Sequence, residues 1–450
     1  MTRDMTSGKP MKLILRFMIP LLFGNFFQQM YNIADSVIVG KFIGIDALAS
    51  VGASTSITFL IIGFVMGTCS GIAIPVAQTF GAKQNSDLRR YVFNGAVVVA
   101  VLAVITTMMT CLLCRKILIW MNTPTNILED AYKYLIVIFI GIPFTFLYNM
   151  LSGIIRSLGD SRTPFIFLLI STVINIFGDL LFILVFHMGV MGAGIATIFA
   201  QAISGILCLI YMMKHFKILK MEKEEQQVKA EYVKKLLCFG LPMGLQFSIT
   251  AIGSIMLQSA INGLGAVIVA SYAAAVRIKL LMMCPYDAIA NTMTTFGGQN
   301  LGAGKISRIK KGLKDSLLLG TIYGIFAGII LYFFGGILPM LFVDKENIEV
   351  LANTHQYLRS IGYFYVALAF LNILRSTIQG IGYSSLAFFS GVFEMIARTI
   401  MALLVIPVFG YTAACFTDPT AWIAAILFLF PLFFHIMKKL EKQKCEADIE

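Results

Sequence analysis

The sequence predicts an all-α membrane protein: twelve transmembrane helices in two six-helix lobes related by an internal parallel repeat. Three observations carry that expectation. Of the 450 residues, 58% are hydrophobic and only 13% are charged, against about 25% charged in a soluble domain. The apolar residues gather into runs long enough to cross a bilayer, which takes about 20 residues of helix. Finally, residues of the second half repeat those of the first at a nearly constant offset.

Backbone groups in hydrocarbon must pair within their own segment, so each long run is expected as a helix. The first six runs lie near 14–39, 47–80, 92–121, 131–156, 163–186 and 190–213. A charged stretch from Lys214 to Lys235 interrupts them. Six more follow near 236–262, 266–300, 315–342, 355–380, 385–408 and 413–437. This divides the chain into an N-terminal lobe (1–213), a linker (214–235), a C-terminal lobe (236–437) and a tail (438–450).

The net charge of +12 has its reason in topology. Basic residues fill alternate connections: Arg3, Lys9, Lys12 and Arg16; Lys83, Arg89 and Arg90; Arg156 and Arg162; the linker; Lys305, Arg308, Lys310, Lys311 and Lys314; and Lys438, Lys439, Lys442 and Lys444. The other loops are poor in Lys and Arg and hold Asp46, Glu129, Asp130, Asp344, Glu346, Glu349 and Asp418. The positive-inside rule then puts both termini, linker and tail in the cytoplasm of a bacterial-type plasma membrane. With the charge so explained, no nucleic-acid partner is required.

The repeat runs at an offset of about 221–223. Ile19-Pro20 matches Leu241-Pro242, and Gly44 and Ala49 match Gly265 and Ala270. Gln78, Gly81, Ala82 and Arg89 match Gln299, Gly302, Ala303 and Lys310. Tyr134-Leu135 matches Tyr357-Leu358, and Leu158-Gly159 matches Ile381-Gly382. Both halves have six spans and start inside, as in carriers that rock two lobes about a central site.

An ionisable side chain at mid-membrane is costly, by roughly 2.5–3.5 kcal/mol on insertion scales, so it marks a site by default. In the first span Gln28, Asn32 and Asp35 share a helical face. Ser171, Asn175 and Asp179 do so in the fifth span, and Ala193, Thr197 and Gln201 in the sixth. Two carboxylates, an amide and a hydroxyl on facing helices offer hard oxygen ligands, suited to sodium or a proton rather than zinc. Sodium is therefore a candidate ion at Asp35 and Asp179. Span seven carries a second stripe, Gln246, Thr250, Ser254 and Gln258, expected to face a cavity. In span eight Arg277 is placed near the cavity and Lys279 is expected to snorkel. At the repeat offset Asp179 falls on Ala402 and Asn175 on Arg398. Glu394 and Arg398 stand four residues apart and are expected to pair, either structurally or against substrate. Prolines at 20, 143, 242, 285, 407 and 431 permit kinks, and Pro20 is the candidate hinge for the helix that carries Asp35.

Enzyme chemistry has little to stand on. His187, His215, His355 and His435 lie near span ends and far apart. No Gly-rich nucleotide loop of the G-x-x-x-x-G-K-[ST] form occurs, so ATP-driven transport by this chain is not expected. Cys111 and Cys114 form a C-x-x-C between leucines without a second pair, which reads as packing. The 24 Met and 37 Phe suit a pocket for varied apolar cations.

Several motifs carry a family resemblance: Ile19-Pro20, Asn32-Ile33-Ala34-Asp35-Ser36, Gln78 with Gly81-Ala82, its echo Gly298-Gln299-Asn300-Leu301-Gly302-Ala303-Gly304, Arg156-Ser157-Leu158-Gly159-Asp160, and Asn175 with Asp179. Over essentially its whole length the chain resembles the multidrug and toxic compound extrusion (MATE) family, in the branch that resembles DNA-damage-inducible protein F. The resemblance implies a twelve-helix antiporter that exports drugs or metabolites against inward sodium or proton flow. Carried over residue by residue, it implies a cation site at Asp35, Asn175, Asp179 and Thr197, with the Ala193 carbonyl as a fifth ligand. Relatives with acids in spans seven and ten differ here, where Gln246, Gln258 and Asn372 stand.

The expected function is secondary active efflux of cationic or amphiphilic drugs and metabolites in exchange for H+ or Na+, by alternating access. No cofactor beyond the coupling ion is expected. The expected partners are a small cationic substrate and membrane lipid, with the carrier acting as a monomer. The alternative is a flippase for lipid-linked precursors or polysaccharides from the same wider superfamily.

Overall fold

The computed structural model describes residues 4–121, 123–341 and 345–447; Arg3 and Asp344, counted above among the loop charges, lie outside them. Helix follows helix along the described chain. In the first half these are α1 (Pro10–Phe42), α2 (Ile45–Gly81), α3 (Asn85–Trp120), α4 (Thr125–Ile140), α5 (Ile142–Ser157), α6 (Arg162–Leu180) and α7 (Gly189–His215). The second half continues with α8 (Ala230–Asn262), α9 (Ala266–Gly302), α10 (Ile306–Phe334), α11 (Ile348–Gly362), α12 (Tyr365–Gly380), α13 (Ser384–Ile400) and α14 (Ile406–Ala447). A π-helical turn follows α6 at Leu181–Val185 and another follows α13 at Met401–Val405.

Nine of the described helices are long and apolar enough to cross a membrane, or eleven with each bent pair taken as one span. The last of them, Ser384–Glu446, is 63 residues long. At 1.5 Å per residue it would reach about 95 Å, some three times a hydrocarbon layer of about 30 Å. Gly410 interrupts it with φ 60 and ψ −141, which is not helical. The stretch therefore holds two spans, and the expected twelve are accounted for.

The run near 131–156, where Pro143 permits a kink, and the run near 355–380 are each a bent pair of helices. α4 and α5 meet at 46° and α11 and α12 at 54°. Pro143 lies in the first turn of α5, where its missing N–H is tolerated but cannot serve α4. At Gly141 a Cβ would come within 2.3 Å of Ile198, so only glycine lets this bend seat against α7.

The repeat is visible in backbone geometry. Gly44 and Gly265 precede α2 and α9 with φ 128 and 102, and Gly159 and Gly382 precede α6 and α13 with φ 87 and 94. A side chain would be strained at each of these corners.

The chain divides into two compact units. One gathers residues 23–248 and the other residues 5–22 with those from 249 onward. The core of the first includes Val65, Ile72, Leu88, Phe139, Phe146 and Ile155. In this unit the linker lies along α3. Arg89 donates from Nε and Nη2 to the two Glu225 oxygens, each at 2.6 Å. Asn94 donates to the Gln227 carbonyl at 3.1 Å and accepts from the Lys229 amide at 3.0 Å. The core of the second includes Ile14, Phe17, Met293, Phe296, Tyr357 and Trp422. There the Gln299-Asn300 amides hold the chain's first turn: Gln299 Oε1 accepts from the Met5 amide at 2.9 Å, and Asn300 Nδ2 donates to the Met5 carbonyl at 3.2 Å.

Candidate functional site

Within the first unit, α6 and α7 pack closely enough to share polar groups. A Cβ on Gly178 would stand 3.1 Å from that of Ala196. Ser171 Oγ donates to the Ala200 carbonyl at 3.0 Å and Ser204 Oγ to the Phe167 carbonyl at 3.2 Å. These links fix the register that sets Asn175 and Asp179 opposite Ala193 and Thr197.

Thr197 is the hub. Its hydroxyl donates to the Ala193 carbonyl at 3.1 Å, one turn back. With its proton so placed, Oγ1 accepts from Asn175 Nδ2 at 3.4 Å and meets the Tyr31 hydroxyl of α1 at 3.3 Å. Tyr31 lies one turn before Asp35 on the same helix face.

Asp179 is wholly buried, and neither of its carboxylate oxygens has a hydrogen-bond donor among the described residues. Its polar neighbour is the half-buried carboxyl of Asp35, with which it can share a hydrogen bond once either group carries a proton. The hydroxyls of Tyr31 and Tyr134 lie within electrostatic reach of both acids. The five residues expected at a cation site thus come together in one unit, on α1, α6 and α7. Tyr31 and Tyr134 join them from outside the expected set. Tyr31 could have been found by extending the Asp35 stripe one turn back, whereas Tyr134 was visible only as a repeat match.

Two facing carboxylates without a donor cannot both stay anionic in a low-dielectric site at modest cost. The arrangement needs one positive charge, either a proton between the acids or a cation ringed by oxygen. Asp35, Asp179, the Asn175 amide, Thr197 and the Ala193 carbonyl could all turn oxygens toward such an ion. Among the described residues, no group of three His, Cys, Asp or Glu could hold a metal.

The other candidates are more scattered. Gln28 is half-buried, Asn32 is exposed, and Gln201 has a buried Oε1 with no donor. The span-seven stripe lies along one helix, α8. Gln246 is buried in the first unit, while Thr250, Ser254 and Gln258 belong to the second, with Ser254 exposed and Gln258 donating to Asn262 at 2.8 Å. Arg277 is exposed on α9. Pro20 lies inside α1.

The second unit holds a charged network at the place where Ala402 and Arg398 replace Asp179 and Asn175. Glu394 and Arg398 pair at 3.4 Å as expected, and Arg375 of α12 also bonds Glu394. Arg398 Nε donates to Asp418 at 3.1 Å. Two expectations are corrected here. Asp418, placed above in an outer loop, is a buried residue of α14. Lys279, expected to snorkel, instead reaches Asp418 at 2.7 Å, and the Tyr357 hydroxyl donates to the same oxygen at 2.7 Å. The Thr417-Asp418-Pro419-Thr420 run reads as a turn by composition, but two cations compensate the carboxylate and leave it inside a helix.

Comparison with known proteins follows this geometry. The pattern that defines the MatE family matches residues 20–181 and again residues 242–404, once in each half. The chain belongs to the MatE family. A probable multidrug resistance protein of Bacillus subtilis (strain 168), YpnP, is 28% identical over 383 residues, 84% of each chain. A second from the same organism, YoeA, is 27% identical over 375 residues, 81% of this chain and 80% of its own. In three dimensions the fold superposes with TM-score 0.90 on an outward-facing multidrug resistance MATE family transporter of the MOP superfamily, at 21% identity over 97% of this chain and 98% of the other. Like its MatE relatives, the chain is a multi-pass membrane transporter and not an enzyme.

Proposed function

We propose that the protein is a secondary active efflux antiporter that exports cationic or amphiphilic small molecules in exchange for H+ or Na+. The observation that carries this reading is the Asp35–Asp179 pair, with both Asp179 oxygens buried and lacking a donor. A cation arriving at the pair stabilises one arrangement of α1, α6 and α7 over another. Such a ligand moves the carrier only through its differential affinity for the two states. Binding on the outer side then favours release of the drug, and the vacated carrier discharges the cation inward. Pro20 is the proposed hinge of α1. The multidrug resistance relatives support the substrate class. The basic clusters at alternate loops support cytoplasmic termini in a bacterial plasma membrane.

Reconstituted protein in liposomes, given a sodium gradient or a proton gradient separately, tests the reading. One of the two gradients drives substrate movement in the wild type, and Asp35→Asn and Asp179→Asn abolish it while still inserting. Full transport by either variant refutes the assignment of the coupling site.

A further inference from the structure

We propose that Asp287, midway along α9, is the carboxylate that receives the positive charge of the transported molecule. The assignment rests on the export reading above and names the residue behind its substrate class.

Asp287 lies 21 residues after the start of α9 and 15 before its end, well inside a 37-residue membrane helix. It is exposed there. Among the described residues it forms no ion pair and accepts no hydrogen bond. A carboxylate facing hydrocarbon in that state is costly, and a chain keeps one only where it meets water, a counter-charge or a ligand. The adjacent cations on the helix do not serve it. Lys279 is already paired with Asp418, and Arg277 stands ten residues away, about 15 Å along the axis.

The face that carries Asp287 also differs from a lipid face. On α10, beyond the exposed Ser307, Lys310, Lys311 and Lys314 at its start, the exposed positions are Leu318, Ile322, Ile325, Phe326, Ile329, Phe333 and Phe334, all bulky and apolar. On α9 the exposed positions between 270 and 291 are Ala270, Ala273, Arg277, Leu280, Asp287 and Asn291, where Leu280 is the one bulky apolar side chain among small and polar ones. Such a face belongs against water rather than acyl chains. At the offset that aligns Gln299 with Gln78, Asp287 falls on Met66. The acid is therefore peculiar to the second half and is not part of the scaffold both halves share.

The chemistry it selects is that of an organic cation. One carboxylate with one amide, Asn291, a turn away gives too few oxygens to strip and hold a sodium ion, in contrast to the five groups that include Asp179. A diffuse ammonium or iminium charge on an apolar body needs only the single counter-charge, and Asn291 can accept from its N–H.

Equilibrium binding to the full chain in lipid nanodiscs tests this, with ethidium as the cationic probe and Nile red as an uncharged dye. Asp287→Asn is expected to weaken ethidium at least tenfold and leave Nile red unchanged, and Asp287→Glu is expected to restore ethidium. Wild-type ethidium affinity in Asp287→Asn overturns the assignment, as does an equal loss of both dyes. If the wild type neither binds nor carries ethidium, cation export and the Asp287 assignment fall together. If the wild type does both and Asp287→Asn does too, only the assignment falls.

Discussion

Lys279 Nζ lies 2.7 Å from Asp418 Oδ2, joining α9 to α14 through a pair that is almost entirely buried. Arg398 takes the other oxygen of Asp418 and also pairs with Glu394, so one acid links two cations. Removing one member of a buried ionic group costs about 3–5 kcal/mol, because the partners are left uncompensated. Asp418→Ala is therefore expected to lower the melting temperature of the purified protein sharply. The double variant Lys279→Ala/Asp418→Ala should melt higher than the sum of the single losses implies. Equal melting of Asp418→Ala and wild type would show that the network is not structural.

Thr197 gathers two hydrogen bonds on its hydroxyl, from Asn175 and Tyr31. Thr197→Val keeps the shape and removes the hub. With each bond worth about 0.5–1.5 kcal/mol, the coupling-ion concentration for half-maximal transport should rise about tenfold. Tyr31→Phe, which removes one contact, should raise it a few-fold. Initial transport rates against ion concentration provide the check.

Glu225 of the linker is held by the Arg89 guanidinium, which pulls its carboxyl from the usual 4.5 down to about 2. A carboxyl lowered on folding stabilises the folded form fully above its unfolded pKa, and loses that effect as pH falls through its folded value. The protection of amides 217–229, taken against their intrinsic exchange rates at each pH, should thus be high near neutral pH and fall between about pH 4.5 and 2. Glu225→Gln should already exchange fast at pH 7. Pulse labelling with mass spectrometry would reveal a linker indifferent to either change.

Lys83 adopts φ 59, while its repeat partner Gly304 has φ 67. The left-handed region costs a residue with a Cβ about 1–2 kcal/mol. Lys83→Gly should accordingly raise the melting temperature by a few degrees, and Gly304→Lys should lower it. Differential scanning calorimetry on the two variants would expose an error in either direction.

Much of the architecture can be read from the chain because lipid imposes a strong rule on it. Twelve apolar runs follow from backbone pairing alone, and the repeat follows from glycines at turns that need positive φ. Asp35, Asn175, Asp179 and Thr197 were legible because an acid amid apolar residues stands out and helical periodicity shows which residues share its face. Periodicity does not show which helix supplies the counter-charge. Asp418 looked like loop because its partners, Lys279 and Arg398, are 139 and 20 residues away in sequence. The break at Gly141 was signalled only by Pro143, and the break after Gly362 carries no proline, because hydropathy is blind to direction. Asp287 escaped notice for a related reason, since none of its neighbours on α9 extends a polar stripe through it at three- or four-residue spacing except Asn291.

The π-helical turns after α6 and α13 each hold one residue more than an α-helical turn would. Such a surplus is a removable spacer. Deleting one residue between Leu181 and Val185 would let the turn relax to ordinary pitch and leave Asp179, which precedes it, where it stands. Since both halves carry the spacer at the end of their fifth span, its insertion is most simply dated to the single ancestral half, before that half was copied.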